Sequence, residues 1–165
     1  IDKKRPLDLV EAVGLSKHKE SIELIIMGSG PLEGAVLSRM EELQIKHRYL
    51  GFVNQSKLVS DGYSIMDVLV LPSGQNETWG LVVNECMTGG IPAILSKTVG
   101  CAEDLIIEGK TGYTFESGNV RDLAEKIDVM VDNFNQIDFA ANVKNHIKKY
   151  SLEETVAGIY DALKA

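Results

Sequence analysis

Metal-binding and cross-linking chemistry have little to work with in this sequence: its 165 residues include two cysteines, Cys86 and Cys101, and three histidines, His18, His47 and His146. Neither cysteine belongs to a CxxC pair, and the histidines are scattered rather than set at ligand spacing, so no metal site is expected. The alternative to a disulfide between the two cysteines is a pair of buried, reduced thiols in a reducing cytosol, and this is the simpler reading. Long hydrophobic runs are missing as well, since stretches such as residues 68–71 are far too short to cross a bilayer. Nor is there an excess of positive charge. Lys and Arg total 17 against 24 Asp and Glu, a formal net charge of −7, which argues against the basic face that a nucleic-acid binder needs to displace counterions from phosphates. An anionic ligand must therefore find a local cation or an oriented backbone dipole. The chain opens Ile1-Asp2-Lys3-Lys4-Arg5-Pro6, with no initiator methionine, signal core or tag, and reads as a start inside a longer polypeptide.

What is present is an ordinary globular composition, 44% hydrophobic and 25% charged, at a length that supports one domain with a core of its own. Short apolar runs rich in β-branched residues at 22–27, 45–50, 68–71, 93–95 and 112–115 read as strands. Between them, residues 6–17, 32–43, 55–64, 80–88 and 120–133 read as helices, the first opened by Pro6 in a position suited to a first turn. Alternation of this kind predicts an α/β fold: a doubly wound, Rossmann-like parallel sheet with helices on both faces, and ligands at the carboxyl ends of its strands. Beyond Phe115 the strand signal stops. Residues 120–165 read as helical, interrupted near 133–138 and at Tyr150-Ser151, where Ser151 followed by Glu154 forms a capping box that opens a separate terminal helix.

Two loops carry chemistry. Gly28-Ser29-Gly30-Pro31 follows a strand and precedes a helix, and with Gly34 it gives a superficial dinucleotide fingerprint. The next strand ends His47-Arg48-Tyr49-Leu50-Gly51 without the acid that would hold a ribose, so a tight turn is the plainer reading and a nicotinamide-dependent oxidoreductase the weaker one. The sharper stretch is residues 72–85, PSGQNETWGLVVNE, a polar loop after a strand that runs into a helix near Gly80. Free amides around Gly80 and Leu81 at the positive end of a helix suit a diphosphate, and a missing side chain at Gly80 permits close approach. Glu85 lies one turn beyond Leu81 on the same face, placed to hold paired ribose hydroxyls. Glu77 stands eight residues earlier, at least about 12 Å away if measured along a helix. That span matches a nucleoside diphosphate sugar with one carboxylate at each polyol end. The plainer alternative is a solvated loop acid and a surface helix position, but Val82, Val83, Cys86 and Met87 make the helix largely apolar, where an unpaired glutamate is costly.

The string Glu77-x-Trp79-Gly80-Leu81-x-x-x-Glu85, with residues 67–73 (DVLVLPS) before it and Gly89-Gly90-Ile91-Pro92 and residues 109–113 (GKTGY) after it, resembles the C-terminal domain of the group 1 glycosyltransferases, a family 4-like group. The resemblance runs over residues 4–127. It implies that residues 1–150 are the nucleotide-sugar donor-binding, Rossmann-like lobe of a GT-B enzyme with its first strand truncated, followed by a C-terminal helix at 151–165. It further implies retaining, metal-independent transfer from a nucleoside diphosphate sugar, with no cofactor, in polysaccharide or glycoconjugate biosynthesis. On this resemblance Glu77 would hold sugar hydroxyls with help from the amides of the turn formed by Thr78, Trp79, Gly80 and Leu81. Glu85 would bind the ribose. Lys4 would neutralise the leaving diphosphate, with Arg5 as the alternative one residue on, and Val53, in Gly51-Phe52-Val53, would lie in the segment that cups the base.

Lys4 also reads simply as the solvated start of a helix. The sequence departs from the family pattern in three respects. The arginine that normally precedes the lysine as a second diphosphate contact would fall before Ile1. The acceptor lobe is absent, with its glycine-rich loop and histidine. Cys86 stands where a small alanine is common. The resemblance implies a partner in that N-terminal acceptor lobe, a cytoplasmic location, and peripheral contact with the inner membrane, if any, through the other lobe. The isolated chain is expected to bind donor without turnover; a non-catalytic nucleotide-sugar-binding module is the alternative.

Overall fold

The computed structural model describes residues 2–54, 62–75 and 77–164. A 3-10 turn, Asp2–Lys4, leads into α1 (Pro6–Leu15), followed by β1 (Leu24–Met27), α2 (Glu33–Glu42), β2 (His47–Gly51) and, after a 3-10 turn at Tyr63–Ile65, β3 (Leu69–Leu71). Then come α3 (Leu81–Thr88), β4 (Ala93–Ser96), the single-turn α4 (Ala102–Leu105), β5 (Gly112–Phe115), α5 (Val120–Asn133), α6 (Phe139–Ile147) and α7 (Leu152–Ala162).

All strand pairs are parallel. β4 runs between β3 and β5, with Ala93 opposite both Leu69 and Gly112. At Gly112 a Cβ would lie 1.8 Å from the Ala93 carbonyl oxygen, so only glycine lets the two strands close at this point. β4 is buried along its whole length. Its alternate residues face opposite layers, as the two-residue period of a strand requires. Ile94 packs into a core with α1, α2 and α5, while Ala93 and Leu95 pack into a second core with α3, α4 and α6. The expectation of a parallel α/β fold covered on both faces is therefore met.

One detail differs. The strands form two separate sheets among the described residues, β1–β2 and β3–β4–β5, rather than one. A groove of about 590 Å³ lies between the facing edges, lined by Leu24 and Ile25 of β1, Leu69 and Val70 of β3, and Val13 and Met130 from the helices. No described strand occupies the space between β1 and β3, so neither of these edges gains a ladder partner there.

The helices follow their sequence signals closely. α5 buries Leu123, Ala124, Ile127 and Met130 on one face, the spacing of an amphipathic helix. Full burial of a side chain such as Leu123 stabilises by about 1.5–3 kcal/mol. Asn119 caps α5 by accepting the Asp122 amide at 3.1 Å, and Asp138 caps α6 by accepting the Ala141 amide at 2.9 Å. Ser151 accepts the Glu154 amide at 3.2 Å, which is the Ser151 half of the expected capping box at the start of α7.

Of the helix expected over 55–64, residues 55–61 lie outside the described residues, and Tyr63–Ile65 form a 3-10 turn. Met66, immediately after this turn, is extended and leads toward β3. α4 is new relative to the sequence reading. One turn is too short to show a helical period.

Candidate functional site

The loop between β3 and α3 is held by backbone contacts from two directions. From the amino-terminal side, the Gly74 amide donates to the Lys3 carbonyl at 2.8 Å, which draws the Asp2–Lys4 turn against the loop. From the other side, the turn after β4 reaches in: the Gly100 amide donates to Glu77 O at 3.0 Å and the Cys101 amide to Trp79 O at 3.1 Å. Thr98 Oγ1 adds a bond to the Ser73 carbonyl at 3.1 Å. Gly100 is the residue this arrangement depends on, because a Cβ there would fall 1.9 Å from the Thr78 carbonyl oxygen.

These contacts bring Lys4 and Glu77 together. The Lys4 ammonium forms an ion pair with Glu77 Oε2, and the Glu77 side chain is only 15% exposed. Burial pushes the Glu77 carboxyl up, and the Lys4 hydrogen bond and charge, together with smaller pulls from Ser73 and the Lys3 charge, bring it below the ordinary glutamate value. Arg5 goes elsewhere. It adopts the left-handed conformation with φ 48°, and its Nε donates to Asp8 at 2.6 Å. Its guanidinium lies beside Gly118, where a Cβ would meet Nη2 at 3.0 Å. Of the two candidate cations, Lys4 is the one that pairs with Glu77.

The helix start has the expected character. Gly80 is the N-cap of α3 with φ 96°, and as a glycine it has no side chain of its own to cap the helix. A Cβ at Gly80 would press on Val99 Cγ1 at 3.2 Å and Leu71 Cδ2 at 3.3 Å. The first-turn amides of Leu81 and Val82 have no intrahelical acceptor, and they carry the positive end of the dipole. Leu81 is exposed. Trp79 does not project outward: its indole donates to Asn84 Oδ1 at 2.8 Å and its ring packs on the core beneath α3. Thr78 is exposed.

Glu85, one turn along from Leu81, is half-buried and accepts a hydrogen bond from the Tyr63 hydroxyl at 2.5 Å. The sequence reading missed Tyr63 and Gly100. Nothing local ties Tyr63 to a glutamate 22 residues on, although Gly100 does stand in the turn that follows a fully apolar strand.

Val53 lies two residues beyond β2, half-buried, next to the exposed ring of Phe52. Gly28 donates its amide to Gly51 O at 2.7 Å, which ties the first glycine loop to the end of β2 as a structural turn. Neither the groove between the sheets nor a cavity of about 520 Å³ around Tyr63, Ile91 and Phe139 is lined by Lys4, Glu77 or Glu85. Both cysteines are buried and unpaired. Among the described residues, no helix is long and apolar enough to cross a membrane, and no cluster of three or more His, Cys, Asp or Glu could hold a metal ion.

The family described as glycosyl transferases group 1 matches residues 1–151. The chain belongs to that family. Group 1 membership agrees with the residues at the β3–α3 loop from which the resemblance was drawn. Among curated relatives of this group 1 chain, N-acetyl-alpha-D-glucosaminyl L-malate synthase of Bacillus anthracis is 26% identical over 161 residues, covering 97% of the chain and 42% of the relative. Sulfoquinovosyl transferase SQD2 of Arabidopsis thaliana is 41% identical over 76 residues, 44% of the chain and 14% of the relative. The chain thus spans less than half the length of these relatives.

Solved structures share the fold. The catalytic domain of cholesterol-alpha-glucosyltransferase from Helicobacter pylori superposes with a TM-score of 0.80 at 23% identity, covering 92% of this chain and 93% of that one. Anabaena HepE in complex with UDP and glucose gives 0.82 at 18% identity, covering 99% of this chain and 46% of that one. The group 1 chain therefore has the Rossmann-like architecture of a GT-B lobe.

Proposed function

We propose that this chain is the donor lobe of a retaining glycosyltransferase and binds a nucleoside diphosphate sugar at the β3–α3 loop. The observation that carries the reading is the Lys4–Glu77 pair, set in the loop that leads to the start of α3 at Gly80. Lys4 is a cation within reach of the loop, and the first-turn amides supply oriented partial positive charge. Together they suit the two phosphates of a donor. When the bond from the anomeric carbon to the diphosphate breaks, negative charge grows on the leaving oxygens, and groups already aimed there stabilise the transition state more than the ground state. Glu77 would hold sugar hydroxyls, Glu85 the ribose, and Val53 the base. No metal or cofactor enters this scheme, and neither glutamate is assigned as a nucleophile. The reaction proposed is front-face attack by an acceptor as the diphosphate departs.

A complete site needs the acceptor lobe, which orients the second reactant. The relatives are more than twice as long as this chain, which supports such a lobe in the same polypeptide. α7 offers it a surface. Leu152, Val156, Ile159, Tyr160 and Leu163 form an exposed apolar stripe, and none of the helix's residues is buried. A polypeptide of this kind would act in the cytoplasm, in polysaccharide or glycoconjugate synthesis, with any membrane contact made peripherally through the acceptor lobe.

Calorimetry of the chain with UDP, GDP, ADP and their sugars tests the reading, and the HepE complexes with UDP and UDP-glucose put uridine nucleotides first. One of these ligands is expected to bind, with Lys4→Ala and Glu85→Ala each weakening it about tenfold or more, the loss of one or two charge-assisted hydrogen bonds. Unchanged affinity in Lys4→Ala would remove the phosphate role. Restoring the acceptor lobe should yield transfer with retention; binding without transfer in that form would favour the non-catalytic module instead.

A further inference from the structure

We infer that Tyr63 is a positioning residue for the nucleotide site: its hydroxyl locks the Glu85 carboxylate in the orientation that reads ribose hydroxyls. This rests on the reading of Glu85 as the ribose clamp given above, and extends it to a residue outside the loop and helix.

Tyr63 is 5% exposed and packs with Cys86 and Ile91 against the base of α3. Its ring is fixed by that packing, so its hydroxyl is presented at a constant point. From there it donates to Glu85 Oε2 at 2.5 Å, the short limit for a hydroxyl bound to a carboxylate. Burial, and then the bond to Glu85, push the phenol up, which keeps it protonated and therefore a donor.

A glutamate on a helix has three rotatable side-chain bonds, and a hydrogen bond from a fixed hydroxyl narrows the rotamers it populates. A carboxylate has about four acceptor positions. The Tyr63 hydroxyl and the two hydroxyls of a ribose supply three donors that such a group can accept at once. Tyr63 then contributes by pre-ordering Glu85 before the nucleotide arrives. Position 63 sits in the turn just before β3, and Glu85 sits in the second turn of the helix just after it, so the contact also ties the two connections of one strand together.

The consequence is selective. Loss of the Tyr63 hydroxyl should weaken ligands that carry both ribose hydroxyls more than those that lack the 2′-hydroxyl. The experiment is calorimetry of the chain and of Tyr63→Phe with UDP, GDP and ADP, each alongside its 2′-deoxy form. The wild type is expected to prefer the ribose form, and Tyr63→Phe to reduce affinity for that form about three- to tenfold, the value of about one hydrogen bond, with a smaller loss for the deoxy form, which keeps only its 3′-hydroxyl for Glu85.

An equal loss for both sugars would make Tyr63 a packing residue only and overturn the inference. So would an unchanged preference in Tyr63→Phe when Glu85→Gln abolishes it. If the wild type itself shows no preference and Glu85→Gln changes nothing, it is the ribose role of Glu85 that fails first. Should Tyr63→Phe not fold, 3-fluorotyrosine introduced at position 63 keeps the shape and makes the hydroxyl a stronger donor. It must alter the ribose-to-deoxy ratio, and an unaltered ratio refutes the positioning role.

Discussion

Lys4 and Glu77 form an ion pair across 73 residues of sequence, one from the turn that precedes the first helix and the other from the loop that precedes α3. The pair ties the chain start to the centre of the proposed site. It also sets a competition: a diphosphate that takes Lys4 must displace, or share it with, the Glu77 carboxylate.

This pair makes stability depend on pH in a defined direction. Glu77 is held below its ordinary value, so its contribution is fully present above the unfolded glutamate value of about 4.3 and is lost as the pH falls through the lower folded value. Lys4 is 42% exposed, and solvent screening limits the pair to about 0.5–1 kcal/mol. Lys4→Met should therefore be less stable than wild type by about that much at pH 7, and in urea unfolding the gap should shrink as the pH falls below about 4. A gap that widens toward acid pH would contradict the assignment.

Gly100 should tolerate no side chain. In Gly100→Ala the new Cβ meets the Thr78 carbonyl at 1.9 Å, backbone against backbone, so the loop or the turn must move. The expected cost is about 1–3 kcal/mol or more, together with weakened nucleotide binding because Thr78 and Trp79 shift. A Gly100→Ala protein with wild-type urea midpoint and affinity would show that the two segments are not in register as described.

The thiols should be silent in the folded protein. Burial pushes Cys86 up to about 12, with the Glu85 charge adding to it, and Cys101 up to about 11, so almost no thiolate exists at pH 8. Ellman's reagent is expected to label neither cysteine natively and both in guanidinium chloride. Fast native labelling of either would place it at the surface.

The apolar stripe of α7 should matter only in the longer protein. Replacing Leu152, Ile159 and Leu163 with Gln removes side chains that are 81%, 57% and 81% exposed here. The stability of this chain should change by no more than about 0.5 kcal/mol. In a polypeptide with its acceptor lobe, the same replacements should lower the thermal midpoint and the transfer rate. A substantial loss of stability in the isolated chain would mean that α7 packs on its own domain.

The alternation of strands and helices, the cap at Ser151, and the loop with Glu77, Gly80 and Glu85 were all legible from residue order. Each is written in a window of a few positions, where hydrophobic period, turn chemistry and helix-end preference act. The separation of the strands into two sheets was not legible, because a strand's period reveals its faces and says nothing of which edge finds a partner. Residue order put Lys4 first and left Arg5 open as the alternative one residue on. They are neighbours with the same charge, and what divides them is the left-handed turn at Arg5 and the Asp8 carboxylate beside it.

What residue order alone determined was the set of elements and the chemical types gathered around one loop. Which of those groups touch was decided by tertiary structure: Tyr63 on Glu85, Gly100 under Thr78, Lys4 on Glu77. Contacts between segments that are distant in the chain exist only once strands pair and helices pack on them, because the position of each side chain then follows from the layer it is folded into and no longer from its neighbours in sequence.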